Sequence, residues 1–281
     1  MILSVILLAA LIFSVALVVA VAYRPRGGAG AAVPAVAARH TARWRAGGFG
    51  AGLCCAVLAG AGGAWAVLVV GAPLFAACVL GGVLVGELTV PLPRADVRVA
   101  ALAPRRPRDY IPEVPARLLV LGGGALLVLL AAAATGVIRA LAHPGSCLPH
   151  EVGGGNAAAT PLVPGVSAAT LVLLAAGSAA AAWALRAVAR RPLAATDHRS
   201  LAGDEVLRRG SAQAVLAGWG VLVTVPLAVT AWSIGQDLAV GCPPSPWWAA
   251  QLLLTPLAFI AACGAVACVA WLVSRTWWAL R

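Results

Sequence analysis

The chain has 281 residues, 62% of them apolar and only 10% charged, with a formal net charge of +11. Soluble domains run nearer one half apolar and one quarter charged, so a water-soluble globular domain is excluded as the organising form. The positive charge is all arginine, twenty residues against nine acids and no lysine. It sits in blocks between apolar runs and not on one basic face interleaved with aromatics, which excludes a nucleic-acid-binding domain.

The apolar runs are long enough to cross a hydrocarbon core of about 30 Å. The expected fold class is therefore all-α: a single polytopic transmembrane helix bundle over 1–281 with about seven spans. The first span is 1–23, a run without charge. Ala20-Val21-Ala22 resembles a leader cleavage site, yet no positive segment precedes the run, and Arg24, Arg26, Arg39, Arg43 and Arg45 follow it. It therefore reads as a retained anchor. The stretch 47–90 is too long for one helix and has Glu87 as its one charge. Gly71-Ala72-Pro73 breaks it into spans over 49–70 and 74–90. Two crossings also leave both arginine-rich flanks on one side. In the polar segment that follows, Pro104, Pro107, Pro112 and Pro115 block a long helix. Four further spans are expected at 118–141, 164–187, 212–234 and 248–273.

This path puts the amino terminus outside, the carboxyl terminus inside, and the loops 24–48, 91–117 and 188–211 in the cytoplasm. Every arginine except Arg139 then lies in or beside an inner loop or the inner carboxyl end, as the positive-inside rule requires. Trp44, Trp271, Trp277 and Trp278 fall near the inner boundary and Trp232, Trp247 and Trp248 near the outer one, where indole rings favour the headgroup region. Gly48 and Gly52, Gly82 and Gly86, and Gly210, Ala214 and Gly218 recur at four-residue spacing, the pattern that lets membrane helices approach closely. Asp96-Val97-Arg98 and Asp197-His198-Arg199 occupy corresponding inner loops, a hint of parallel duplication.

Of the seven cysteines, Cys54, Cys55, Cys78, Cys263 and Cys268 fall within spans and read as small packing residues. Cys147 and Cys242 are each the one cysteine of an outer loop, which makes a disulfide between them the natural expectation in an oxidising compartment. His143, Cys147, His150 and Glu151 are metal-capable by chemistry, but their spacing matches no strong metal signature and solvated loop residues explain them. Glu87, Arg139 and Asp237 are the candidate functional charges. Each lies near a span end and reads first as an interface anchor, with substrate or proton contact as the alternative. The Gly122 to Gly124 run lies within a span and the Gly153 to Gly155 run in an outer loop, so neither reads as a phosphate cradle. Signatures of P-loop nucleotide binding, zinc proteolysis and serine hydrolysis are missing from the sequence, and no cofactor is implied.

The segment Leu84-Val85-Gly86-Glu87-Leu88-Thr89-Val90, with Pro93-Arg94, Asp96-Val97-Arg98 and Arg108-Asp109-Tyr110-Ile111-Pro112 after it, resembles uncharacterised multi-pass membrane proteins of actinobacteria. An arginine-rich, lysine-free composition agrees with a GC-rich bacterial genome. The resemblance implies a multi-pass protein of the cell membrane and supplies no activity. Three function classes follow. The favoured one is a non-enzymatic protein acting through the lipid bilayer and through anionic lipid or a cytoplasmic protein at the arginine-rich loops. The second is a small-solute permease lined by Thr224, Thr230 and Thr255 near Pro226 and Pro256. The third is a membrane enzyme using Asp109, Tyr110 and Glu113, or Asp204 and Glu205, at the inner face.

Overall fold

The computed structural model describes residues 35–60, 71–89, 110–134, 164–190, 198–239 and 248–280. These form six helices: α1 (Ala35–Gly60), α2 (Ala72–Leu88), α3 (Glu113–Ala134), α4 (Pro164–Arg190), α5 (His198–Ala239) and α6 (Trp248–Leu280). Among the described residues the fold is all-helical. Four of the helices are long and apolar enough to cross a bilayer, over 113–134, 167–190, 208–236 and 252–274. Helix α2 is shorter, at 17 residues. The apolar part of α1 leads towards 61–70, which lies outside the described residues, as do the expected span 1–23 and the loop cysteines.

Several boundaries differ from the sequence reading, each for a local reason. No proline interrupts 35–60, so the helix begins at Ala35 and carries Arg39, Arg43 and Arg45, which the sequence reading assigns to a loop. Helix α5 likewise begins at His198, shortening the basic loop expected over 188–211. Helix α3 starts at Glu113 because Pro115 falls in its first turn, where a missing N–H costs no intrahelical bond. The breaker at Gly71-Ala72-Pro73 does mark the start of α2. That helix ends at Thr89, whose N–H and hydroxyl both bond the Val85 carbonyl, at 3.0 and 2.6 Å.

Helix α5 is the axis of the bundle. Its spanning segment is 72% buried, against 22% for α3 and α4 and 11% for α6. Leu80, Val83, Leu126, Leu174, Leu222 and Leu272 pack in one apolar core around it. Leu118, Leu121, Val128, Val172, Phe259 and Ile260 face outward instead, an exposed apolar surface suited to lipid and not to water.

Contacts between helices set their directions. Leu119 approaches Gly220, and Gly122 approaches Val223 and Leu227, so α3 and α5 run parallel. Trp219 bonds Ser178 while Arg208 reaches Val188, so α4 runs opposite to α5. Gly220 meets Cys268 and Gly235 meets Leu254, so α6 is also opposite to α5. Helices α1 and α2 oppose each other as well, with Gly48 against Gly82 and Gly52 against Phe75. Alternating direction is what consecutive crossings of a bilayer require.

Candidate functional site

Small residues place the polar groups of α1 and α2. A β-carbon at Gly82 would lie 2.6 Å from the Trp44 carbonyl oxygen and 2.7 Å from the Gly48 Cα. At Gly48 it would lie 2.7 Å from the Cys78 carbonyl oxygen. Both positions meet backbone, so the helices touch main chain to main chain, and Gly86 continues the seam against Thr41. Of the first two glycine pairs of the sequence analysis, Gly48 and Gly82 thus meet directly, while Gly52 packs on Phe75 and Gly86 on Thr41 and Trp44. The third set is mixed, since Gly218 packs on Leu80 and Val83 while Gly210 has nothing within 4 Å.

This close crossing brings the α1 guanidinium of Arg45 onto the α2 carboxylate of Glu87, with Nη2 donating to Oε1 at 2.5 Å. The carboxylate side chain is 1% exposed and the guanidinium 9%. Glu87 therefore turns inward to a partner on the neighbouring helix and does not reach out as the interface anchor that its place near a span end suggests. Pairing is what makes a charge tolerable at such depth, because an isolated ion there would lose its hydration without compensation. Arg45 Nε is buried without a hydrogen-bond acceptor among the described residues.

One turn nearer the helix ends, His40 Nε2 lies 2.8 Å from Thr89 Oγ1. That hydroxyl already donates to Val85, so it accepts here and the imidazole donates from Nε2. The His40 ring also meets Trp44 edge-on at 6.5 Å. Farther along the same two helices, Cys55 and Cys78 are free thiols.

A second polar contact joins α4 and α5. Arg208, among the largest fully buried side chains, donates from Nη1 to the carbonyls of Val188 and Ala189 at 3.1 and 3.2 Å. It thereby caps the end of α4, where carbonyls lack intrahelical donors and the helix dipole is negative. Tyr110 is buried against Ala189 and Ala212 beside it. Glu113 bonds Arg117 at 2.9 Å and Glu205 bonds Arg209 at 3.2 Å, each along its own exposed helix face. These acids do not converge on a pocket.

Of the threonines considered for a solute path, Thr224 is occupied by its own helix and Thr255 faces outward. Thr224 donates to the Gly220 carbonyl at 2.7 Å and Ser233 to Val229 at 2.9 Å. Pro226, inside the same helix, lacks the N–H that would otherwise bond the Leu222 carbonyl. Thr230 is buried, whereas Thr255 and Pro256 are exposed on α6. A cavity of about 190 Å³ opens between α3, α4 and α5, lined by Val120, Ala181, Ala182, Leu185, Leu216 and Trp219 among others. Its one polar seam is the 2.9 Å bond from Trp219 Nε1 to Ser178 Oγ.

Among the described residues no group of three or more His, Cys, Asp or Glu side chains is placed to hold a metal. The metal-capable set His143, Cys147, His150 and Glu151, the expected disulfide partner Cys242, Asp109, Arg139 and the Asp96 loop lie outside the described residues. Of Asp237 and Asp204 only the backbone is described, within α5. The sequence analysis missed the partners of Glu87 and the capping role of Arg208. No protein-family model, curated protein or solved structure matches the chain.

Proposed function

We propose that the chain is a seven-span protein of the cell membrane, amino terminus outside and carboxyl terminus in the cytoplasm. On this reading it is non-enzymatic and acts through the bilayer and through a cytoplasmic protein at its arginine-rich face. The observation that carries this reading is the filled axis of the bundle. Helix α5 is enclosed by apolar side chains, and the Thr224 and Ser233 hydroxyls are spent on their own backbone. A solute path needs polar groups presented to a lumen, whereas a scaffold needs a packed interior. The alternation of helix directions supports the proposed path, and the arginine blocks support its orientation. A disulfide between Cys147 and Cys242, tying two outer loops, and an actinobacterial source belong to the same proposal.

The test is photo-crosslinking in cells with benzoylphenylalanine placed at Ala103 and Ala195, together with solute release from vesicles holding the purified protein. The proposal expects a discrete protein adduct that disappears in an Arg105→Gln, Arg106→Gln variant, and no release above protein-free vesicles. Solute release that a Thr224→Val substitution abolishes would overturn it in favour of a permease.

A further inference from the structure

The cavity between α3, α4 and α5 has a shape and a rim that select a ligand. Its lining is apolar, with Ile111, Val120, Ala182, Leu185 and Leu216 on its walls and the Trp219–Ser178 bond holding the back. At about 190 Å³ it is smaller than the roughly 300–1,000 Å³ typical of sites that enclose a compact drug-sized molecule. It also opens onto a bundle face where Ala182 and Val120 are exposed. A slot of that size and polarity accepts a hydrocarbon chain entering from the bilayer, and it has nothing to offer a hydrated solute.

Exposed arginines flank the slot. Arg186 follows Ala182 by four residues and so stands on the same face of α4 one turn on. Arg117 adjoins Ala116 and precedes Val120 by three on α3. Arg209 precedes Leu216 by seven, two turns down the same face of α5. All three side chains are exposed. Among the described residues Arg117 and Arg209 are held by exposed pairs along their own helices, which contribute little. Arg186 makes no ion pair with any described residue. Arg186 and Arg209 thus lie beyond one end of the slot and Arg117 beside it, and exposed cationic groups flanking an apolar slot match an anionic headgroup attached to an acyl chain.

We propose that this groove is a binding site for one anionic phospholipid, its acyl chain between α4 and α5 and its phosphate among Arg117, Arg186 and Arg209. This rests on the membrane-spanning reading above, under which these arginines lie at the inner leaflet. The chain-in-slot geometry itself does not depend on which way the protein faces.

The purified full chain is reconstituted in phosphatidylcholine vesicles containing one tenth of either a tail-diazirine phosphatidylglycerol or the matching tail-diazirine phosphatidylcholine, and labelled peptides are mapped after irradiation. Both leaflets carry the probe, so a reversed orientation leaves the outcome unchanged and failure here is distinguishable from failure of the topology. The expected result is phosphatidylglycerol labelling concentrated at 178–186 and 215–219. It should be at least fivefold above that at Val172, Phe259 and Ile260, and at least fivefold above labelling by the phosphatidylcholine probe. Ala182→Trp should remove the concentrated signal, and Arg117→Gln with Arg186→Gln should erase the preference between the two lipids. Even labelling over all lipid-facing helices, equal labelling by both probes, or a benzoylphenylalanine crosslink from Ala182 to residues 1–23 of the same chain would each overturn the proposal. The last would mean that the chain fills the groove itself.

Discussion

Adding one methyl group at Gly82 tests the helix seam that places the Arg45–Glu87 pair. In Gly82→Ala the new carbon would sit 2.6 Å from the Trp44 carbonyl oxygen and 2.7 Å from the Gly48 Cα. Optimal contact between non-bonded heavy atoms is about 3.5–4.0 Å, so α1 and α2 must separate by nearly 1 Å at this point. Neither obstacle is a flexible side chain. Overpacking of this kind costs about 1–3 kcal/mol. Alanine is also a better helix former than glycine, by up to about 1 kcal/mol. Gly81→Ala supplies the reference, because nothing lies within 4 Å of a β-carbon there and only the propensity gain remains. The difference between the variants therefore isolates the steric cost, and about 2 kcal/mol corresponds to roughly thirtyfold in the unfolding equilibrium. Reversible unfolding in detergent micelles, followed by circular dichroism against denaturant, reads it directly. Should Gly81→Ala destabilise as much as Gly82→Ala, or should both be neutral, the close crossing of α1 and α2 is wrong.

Three further outcomes follow from the same geometry. Glu87→Gln, which leaves Arg45 buried beside a neutral group, should cost about 3–5 kcal/mol, while the double variant Arg45→Met, Glu87→Leu should cost clearly less; the same micelle assay gives the coupling, and additive losses would refute a buried pair. Arg208→Met should lower stability by about 1.5–3 kcal/mol through loss of two charged hydrogen bonds at the end of α4, with faster amide hydrogen exchange near Val188 and no change in α6. Trp219→Phe should cost about 1 kcal/mol through loss of the Ser178 bond, and a Ser178→Ala background should remove most of that effect.

How much of this is legible without the structure depends on the kind of signal. The glycine pairs at 48 and 52 and at 82 and 86 can be picked out by spacing, because helical periodicity alone puts each pair on one face. The partner of Glu87 cannot be read from spacing, since it depends on the register between two helices. That register is nonetheless latent. With Gly48 set opposite Gly82 in antiparallel helices, Glu87 falls opposite the turn that contains Arg43 and Arg45. Treating 24–48 as a loop hides this, because it takes arginines as loop markers and not as helix residues that bury a charge. Arg208 is hidden for the same reason, lying in a basic segment that continues α5 by more than three turns. The apolar cavity has no sequence signature at all, since Ala182, Leu216 and Val120 come from three helices and look like any other span residues. The metal-capable residues and the outer cysteines lie outside the described residues, so the structure adds nothing to them.

The central claim is the path of the chain through the membrane, and substituted-cysteine labelling tests it most directly. In a background with the native cysteines replaced by serine, Ala31→Cys, Ala103→Cys and Ala157→Cys are exposed to a membrane-impermeant maleimide, in intact and then in permeabilised cells. The account predicts that Ala157→Cys labels in intact cells while Ala31→Cys and Ala103→Cys label only after permeabilisation. Labelling of Ala103→Cys in intact cells with Ala157→Cys protected would contradict the orientation, and protection of Ala31→Cys but not of Ala103→Cys would contradict the pair of crossings between them.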